Sequence, residues 1–307
     1  MDSERGEWRR RIWVTIAWTF FGSVLGQVAS AAILYMSGVN LAAGGLDYAA
    51  LSPLTLAGMI GASQMLGFLV PAVIAGYTLY KQNWWRELRL LPAPTILQLA
   101  VGVLILLSSV MLVSVLAQLN ASYELAGWQI EMEESVAAAL ERIITAEGPL
   151  AFAGALLLIG VLPALGEELV FRGLLQPGFV RLTGSAQAGI WITAILFGLI
   201  HFQFAGILPR IALGAVLGGL AYYSQRLWVP IFAHFLFNGA QVVAVRLGFQ
   251  DAQSPTDLEL SAPDPMLTAA ALAVAAAGMW LYKYLVPAEH PRPPLLEQED
   301  APPEQVV

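Results

Sequence analysis

The chain contains no cysteine and only three histidines, and charged side chains make up just 12% of its 307 residues. The lack of cysteine excludes disulfides, thiol catalysis, and Cys-ligated zinc or iron–sulfur centres. Soluble domains carry roughly 25% charged residues, so the scarcity of charge excludes an ordinary soluble fold. Basic charge is in deficit: 15 Lys and Arg stand against 22 Asp and Glu, for a net charge of −7. Nothing resembles a basic face for nucleic acid. What fills the chain is apolar, at 58% hydrophobic residues and a mean hydropathy of +0.68. Apolar runs of about 20 residues are transmembrane helices, because in hydrocarbon the backbone must satisfy its own hydrogen bonds. The fold class is all-α, a polytopic membrane helix bundle.

About eight transmembrane helices are expected, over 12–36, 54–80, 96–118, 150–172, 187–208, 211–226, 229–247 and 266–286. Residues 1–11 are polar and form a cytoplasmic N-terminal segment; 12–286 form one domain; 287–307, rich in Pro and Glu, read as a disordered tail. Ala29-Ser30-Ala31 resembles a signal-peptidase site, but its apolar run is too long and continues past it, so the first span is retained. Trp84, Trp85, Arg86 and Arg89 suit an interfacial segment. Residues 124–147 carry Glu131, Glu133, Glu134, Glu141 and Glu147 on an amphipathic pattern that predicts a helix outside the bundle. In 211–226, Gly214, Gly218 and Gly219 are spaced for close helix packing.

With the N-terminus inside and eight spans, only Arg142, Arg210 and Arg246 of the 15 basic residues fall outside. The positive-inside rule therefore gives an integral, multi-pass protein of the cell membrane with both termini cytoplasmic.

Three polar groupings interrupt the apolar helices. The first is Gly166-Glu167-Glu168-Leu169-Val170-Phe171-Arg172. A charge near the bilayer centre costs about 2.5–3.5 kcal/mol on insertion scales, so these groups must pair or line a cavity. Residues four apart share a helix face, which pairs Glu168 with Arg172. Glu167 points elsewhere and is left as a carboxylate without that partner, suited to a general base. The second grouping is Phe197 with His201, and the third is His234 with Asn238 one turn on. Two mechanisms fit. In one, His201, His234 and Glu167 hold a divalent metal such as zinc that acidifies a bound water. In the other no metal takes part: Glu167 and one histidine activate water while the other histidine and Asn238 stabilise the oxyanion.

In order, the three groupings resemble the motifs of the type II CAAX prenyl endopeptidase and bacteriocin-processing family of intramembrane proteases. The family pattern is E-E-x-x-x-R, F-x-x-x-H and H-x-x-x-N. The resemblance covers roughly 150–247. It implies an endopeptidase acting on membrane-associated peptides or proteins, with a prenylated C-terminus or a leader peptide as substrate types. It also implies Glu167 as the base that activates water, His201, His234 and Asn238 as its catalytic companions, and Glu168, Arg172 and Phe197 as supporting residues. Both metal-dependent and metal-free mechanisms are associated with the family.

A transporter would also place Glu, His and Arg within spans, and a catalytically silent scaffold or immunity protein would keep the fold; an intact Glu, His, His and Asn set argues for chemistry. Depth poses one difficulty. Glu167 falls near the cytoplasmic end of a span drawn as 150–172, while His201 falls about 21 Å into its own at 1.5 Å per residue. The two meet if the second span starts near Ile195 or if 173–190 dips into the bundle, with helix tilt as a further contribution. The cavity is expected to open toward the cytoplasm.

Overall fold

The computed structural model describes residues 2–39, 47–249 and 264–285. The expected tail at 287–307 and the third histidine, His290, lie outside the described residues. Among the described residues the chain is helical: α1 (Asp2–Met36), α2 (Pro53–Glu87), α3 (Ile96–Ala121), α4 (Gly127–Ile144), α5 (Pro149–Thr183), α6 (Ala186–Leu199), α7 (Phe204–Ser224), α8 (Trp228–Arg246) and α9 (Pro265–Leu285). All but α4 and α6 are long and apolar enough to cross a membrane, and α6 is a shorter apolar helix. The all-α bundle with about eight membrane helices is therefore the observed fold.

Local chemistry sets the helix ends. Ser52 caps α2 by accepting from the Thr55 amide, with Pro53 in the first turn. Thr95 and Gln98 form a reciprocal capping box at the start of α3. Between α5 and α6, Gly184 takes the left-handed conformation at φ +68 and Ser185 accepts from the Ala188 amide.

The bundle has two ends. At the near end, which carries the N-terminus, Ile12 of α1 packs against Gly178 of α5. There too the Gln98 side chain donates to the Leu285 carbonyl, and the Leu227 amide donates to the Arg89 carbonyl. At the far end, Asn120 donates to the Phe204 carbonyl and accepts from the Leu208 amide, tying α3 to α7. Helix α4 lies across this end, burying Ala137, Ala139, Ile143 and Ile144; Glu133 accepts from the Ala205 amide of α7, while Glu131, Glu134 and Glu141 are exposed. Arg142 and Arg246 fasten it by donating to the carbonyls of Leu51 and Ile144. The helix expected outside the bundle is thus a lid on its far end.

Two span boundaries differ from expectation. Helix α5 does not stop at 172 but runs 35 residues to Thr183. Arg172 and Gln176 look like a polar exit from the membrane, but both are buried and donate to the Gly214 and Gly218 carbonyls of α7. The span drawn as 187–208 ends at Leu199, with His201 in the turn that follows. Both changes remove the depth problem: Glu167 sits in the middle of α5, level with the end of α6.

Candidate active site

Helix α5 is not uniform. It passes through wider π turns at Leu156–Val161 and Leu169–Leu175, flanking the segment that carries Glu167 and Glu168; such turns are frequent at functional sites. Pro163 sits inside this segment and cannot donate an amide to the Ile159 carbonyl four residues back. Asn238 of α8 donates its Nδ2 to that oxygen at 3.1 Å. Gly166 lets α2 come close: a Cβ there would stand 2.9 Å from Phe68 Cβ and 3.1 Å from the Leu69 amide nitrogen.

Glu168 is fully buried, and its Oε1 accepts from Arg172 Nη1 at 2.8 Å and from His234 Nδ1 at 2.9 Å. The first contact is the pair expected from sequence. The second, across to α8, was not legible there and changes the role of Glu168 from partner of Arg172 to orienter of His234. Arg172 is buried as well, with Nη2 on the Gly214 carbonyl at 2.9 Å and its guanidinium 4.5 Å from the Phe197 ring centre. Phe197 also makes edge contacts with His201 at 5.0 Å and His234 at 5.9 Å between ring centres. One aromatic ring therefore spaces all three motifs.

Glu167 lies on the other side of this pair. Its Oε2 is 3.8 Å from His201 Nε2 and makes no hydrogen bond among the described residues. His201 Nδ1 is 2.7 Å from the Phe197 carbonyl. A carbonyl only accepts, so Nδ1 carries a proton, and in the neutral imidazole Nε2 then presents a lone pair toward Glu167. The same argument makes His234 Nδ1 the donor to Glu168. The imidazole of His201 remains a quarter exposed while the Glu167 side chain is 4% exposed, so the histidine faces the open side.

Glu167, His201, His234 and Asn238 line one cavity of about 560 Å³, walled by α2, α3, α5, α7 and α8 with Leu140 of α4 and Phe197 of α6. Its surroundings are mostly apolar, from Ile60, Val103, Leu106, Val110, Leu158 and Leu213. The four catalytic candidates are thus brought together, while Glu168 and Arg172 stand behind them. Among the described residues no three His, Cys, Asp or Glu side chains group closely enough to hold a metal ion. Glu167, His201 and His234 share the cavity without forming such a cage.

Two further polar residues stand in the wall. Gln64 of α2 lines the cavity, and its buried Oε1 has no partner among the described residues. Arg210, counted only for its charge, also lines it, held by the Gln203 side chain at 2.7 Å and the Gln203 carbonyl at 3.2 Å. Its position seven residues after Gln203, across a break between helices, left no periodic signal. The cavity lies in the far half of the bundle, with Leu140 of α4 and Ala244 of α8 in its wall. These wall residues lie away from the end that carries the N-terminus.

Residues 149–240 match the family model described as type II CAAX prenyl endopeptidase Rce1-like. The chain is 32% identical over 77 residues to the protein named "Putative membrane peptidase YdiL" of Bacillus subtilis, covering 25% of this chain and 31% of that protein. It is 25% identical over 95 residues to "Uncharacterized protein YpbD" of the same organism, covering 30% of this chain and 46% of that protein. The chain therefore spans less than half the length of these relatives. No solved structure matches. The likeness read from the three motifs is shown for residues 149–240, the Rce1-like type II CAAX prenyl endopeptidase stretch that carries Glu167, His201, His234 and Asn238.

Proposed function

We propose that the chain is an intramembrane endopeptidase that hydrolyses peptide bonds of membrane-associated substrates with a water activated by Glu167 and His201. The observation that carries this reading is the facing pair itself: Glu167 Oε2 without a hydrogen-bond partner among the described residues, 3.8 Å from Nε2 of His201, at the wall of a mostly apolar cavity. That separation suits a water donating one hydrogen to each atom, which leaves its oxygen lone pairs for a carbonyl carbon.

In the reaction, the water oxygen bonds to the scissile carbonyl carbon and its proton passes to Glu167. The carbonyl oxygen takes the electron pair. The second amide hydrogen of Asn238 serves this oxyanion, as does His234 Nε2 when the imidazole is protonated. Collapse of the intermediate breaks the C–N bond, and Glu167 returns the proton to the leaving nitrogen. Glu168, fixed by Arg172, orients His234 through Nδ1.

The apolar lining suits a lipid-attached or membrane-inserted polypeptide. The test is cleavage of a membrane-bound reporter by Glu167→Gln and His201→Ala proteins, with folded protein quantified in parallel. Each variant is expected to lose activity by roughly 10²–10⁴-fold, the usual weight of a general base. Wild-type rates from both would overturn the assignment.

A further inference from the structure

The basic side chains and the cavity lie at opposite ends of the bundle. Arg9, Arg10 and Arg11 begin α1, Lys81 and Arg86 end α2, and Arg181 ends α5, all at the near end. The far end has Arg142, Arg210 and Arg246, and each is engaged locally: Arg142 by the Leu51 carbonyl, Arg210 by Gln203, and Arg246 by the Ile144 and Ala146 carbonyls. The connecting stretches 40–46 and 250–263 contain no Lys or Arg. Helix α4, lying across the far end, carries Glu131, Glu133, Glu134 and Glu141. Basic residues close to the ends of spans mark the cytoplasmic side, so the near end is cytoplasmic and the far end is not.

From Glu167 and His234 the cavity wall continues outward to Gln203 in the turn after α6, Leu140 on α4 and Ala244 near the end of α8. These are all far-end positions. The cavity also reaches the lipid-facing side, since Leu107 of α3 lines it and is 62% exposed.

We propose that the site is loaded from the non-cytoplasmic side of the membrane. Its substrates are then polypeptides anchored in or emerging through the membrane, cut in the segment they present on that side. Tails held in the cytoplasm are outside its reach. The access route stands on geometry and charge, and the word substrate rests on the peptidase reading above.

The absence of cysteine makes each single-cysteine variant of the full chain a unique label site. Three positions decide the matter: Glu131, exposed on α4; Gln82, exposed at the near end; and Gln241, in the cavity wall. A membrane-impermeant maleimide is added to intact cells carrying each variant in the plasma membrane, and again after lysis. The Glu131→Cys and Gln241→Cys proteins are expected to label fully before lysis and the Gln82→Cys protein only after it. The reverse pattern would overturn the proposal, as would a Gln241→Cys protein that labels from neither side. Labelling needs no turnover. A protein that labels as expected yet cleaves no reporter would sink the peptidase reading and leave the access side standing.

Discussion

Two adjacent glutamates in α5 have opposite duties, and their surroundings explain why. Glu168 Oε1 accepts from both Arg172 and His234, whereas Glu167 has the looser contact of its Oε2 with His201 Nε2 at 3.8 Å. Removing one member of a buried ion pair leaves the other charge uncompensated and costs about 3–5 kcal/mol. Arg172→Ala is therefore expected to lower unfolding free energy by about that amount, with a clear fall in thermal midpoint in detergent and loss of cleavage. Arg172→Lys is expected to rescue little, since an ammonium cannot reach both Glu168 and the Gly214 carbonyl while stacking on Phe197. Glu167→Gln behaves differently: it removes a poorly compensated charge, so cleavage falls while thermal stability stays level or rises. A melting curve for Arg172→Ala that overlays the wild type would end this division of labour.

Helix α5 organises the site, and its irregular stretch is what a periodicity argument could not foresee. The pairing of Glu168 with Arg172 and the shared face of His234 and Asn238 follow from residues four apart on a helix, so they were legible. The contacts His234–Glu168 and Asn238–Ile159 span 66 and 79 residues of sequence, and no local pattern encodes them. The length of α5 was hidden for a related reason: Arg172 and Gln176 read as polar until their acceptors on α7 are known. Pro163 did carry a signal, because a proline inside a helix frees the carbonyl four residues back, and Asn238 takes that oxygen. Asn238→Ala is expected to cost about 1–3 kcal/mol by leaving the Ile159 carbonyl without this donor. In a Pro163→Ala background the backbone supplies an amide, so the same substitution costs less. Equal costs in both backgrounds, measured by unfolding, would show that the two are not coupled. Packing at Gly166 gives a second expectation: Gly166→Leu drives a side chain into Phe68 and the Leu69 backbone, lowering stability by about 1–3 kcal/mol or more and displacing Glu167.

Across the whole molecule, the cavity walls come from α2, α3, α5, α6, α7 and α8, with α4 closing the far end, and among the described residues α9 contributes no wall residue. Helix α9 packs on α3, where Tyr282 donates to the Gln98 carbonyl at 2.7 Å, Gln98 donates to the Leu285 carbonyl at 3.2 Å, and Gly278 admits Ile105. It also meets α7 where Met279 lies over Gly219. In water, stripping such a helix would expose a large apolar face. In a bilayer the uncovered face of α3 meets lipid tails as apolar as the side chains that left, so only packing and interhelical hydrogen bonds are lost. Interhelical hydrogen bonds in membranes average about 0.6 kcal/mol each, which makes two of them worth about 1 kcal/mol. A chain ending at Phe249 is therefore expected to insert, to melt at a lower temperature than the full chain, and to keep reporter cleavage within about tenfold, or ~1.4 kcal/mol in the barrier. Folded truncated protein with no cleavage at all would show that α9 shapes the site through α3, and that the catalytic unit extends well beyond the helices lining the cavity.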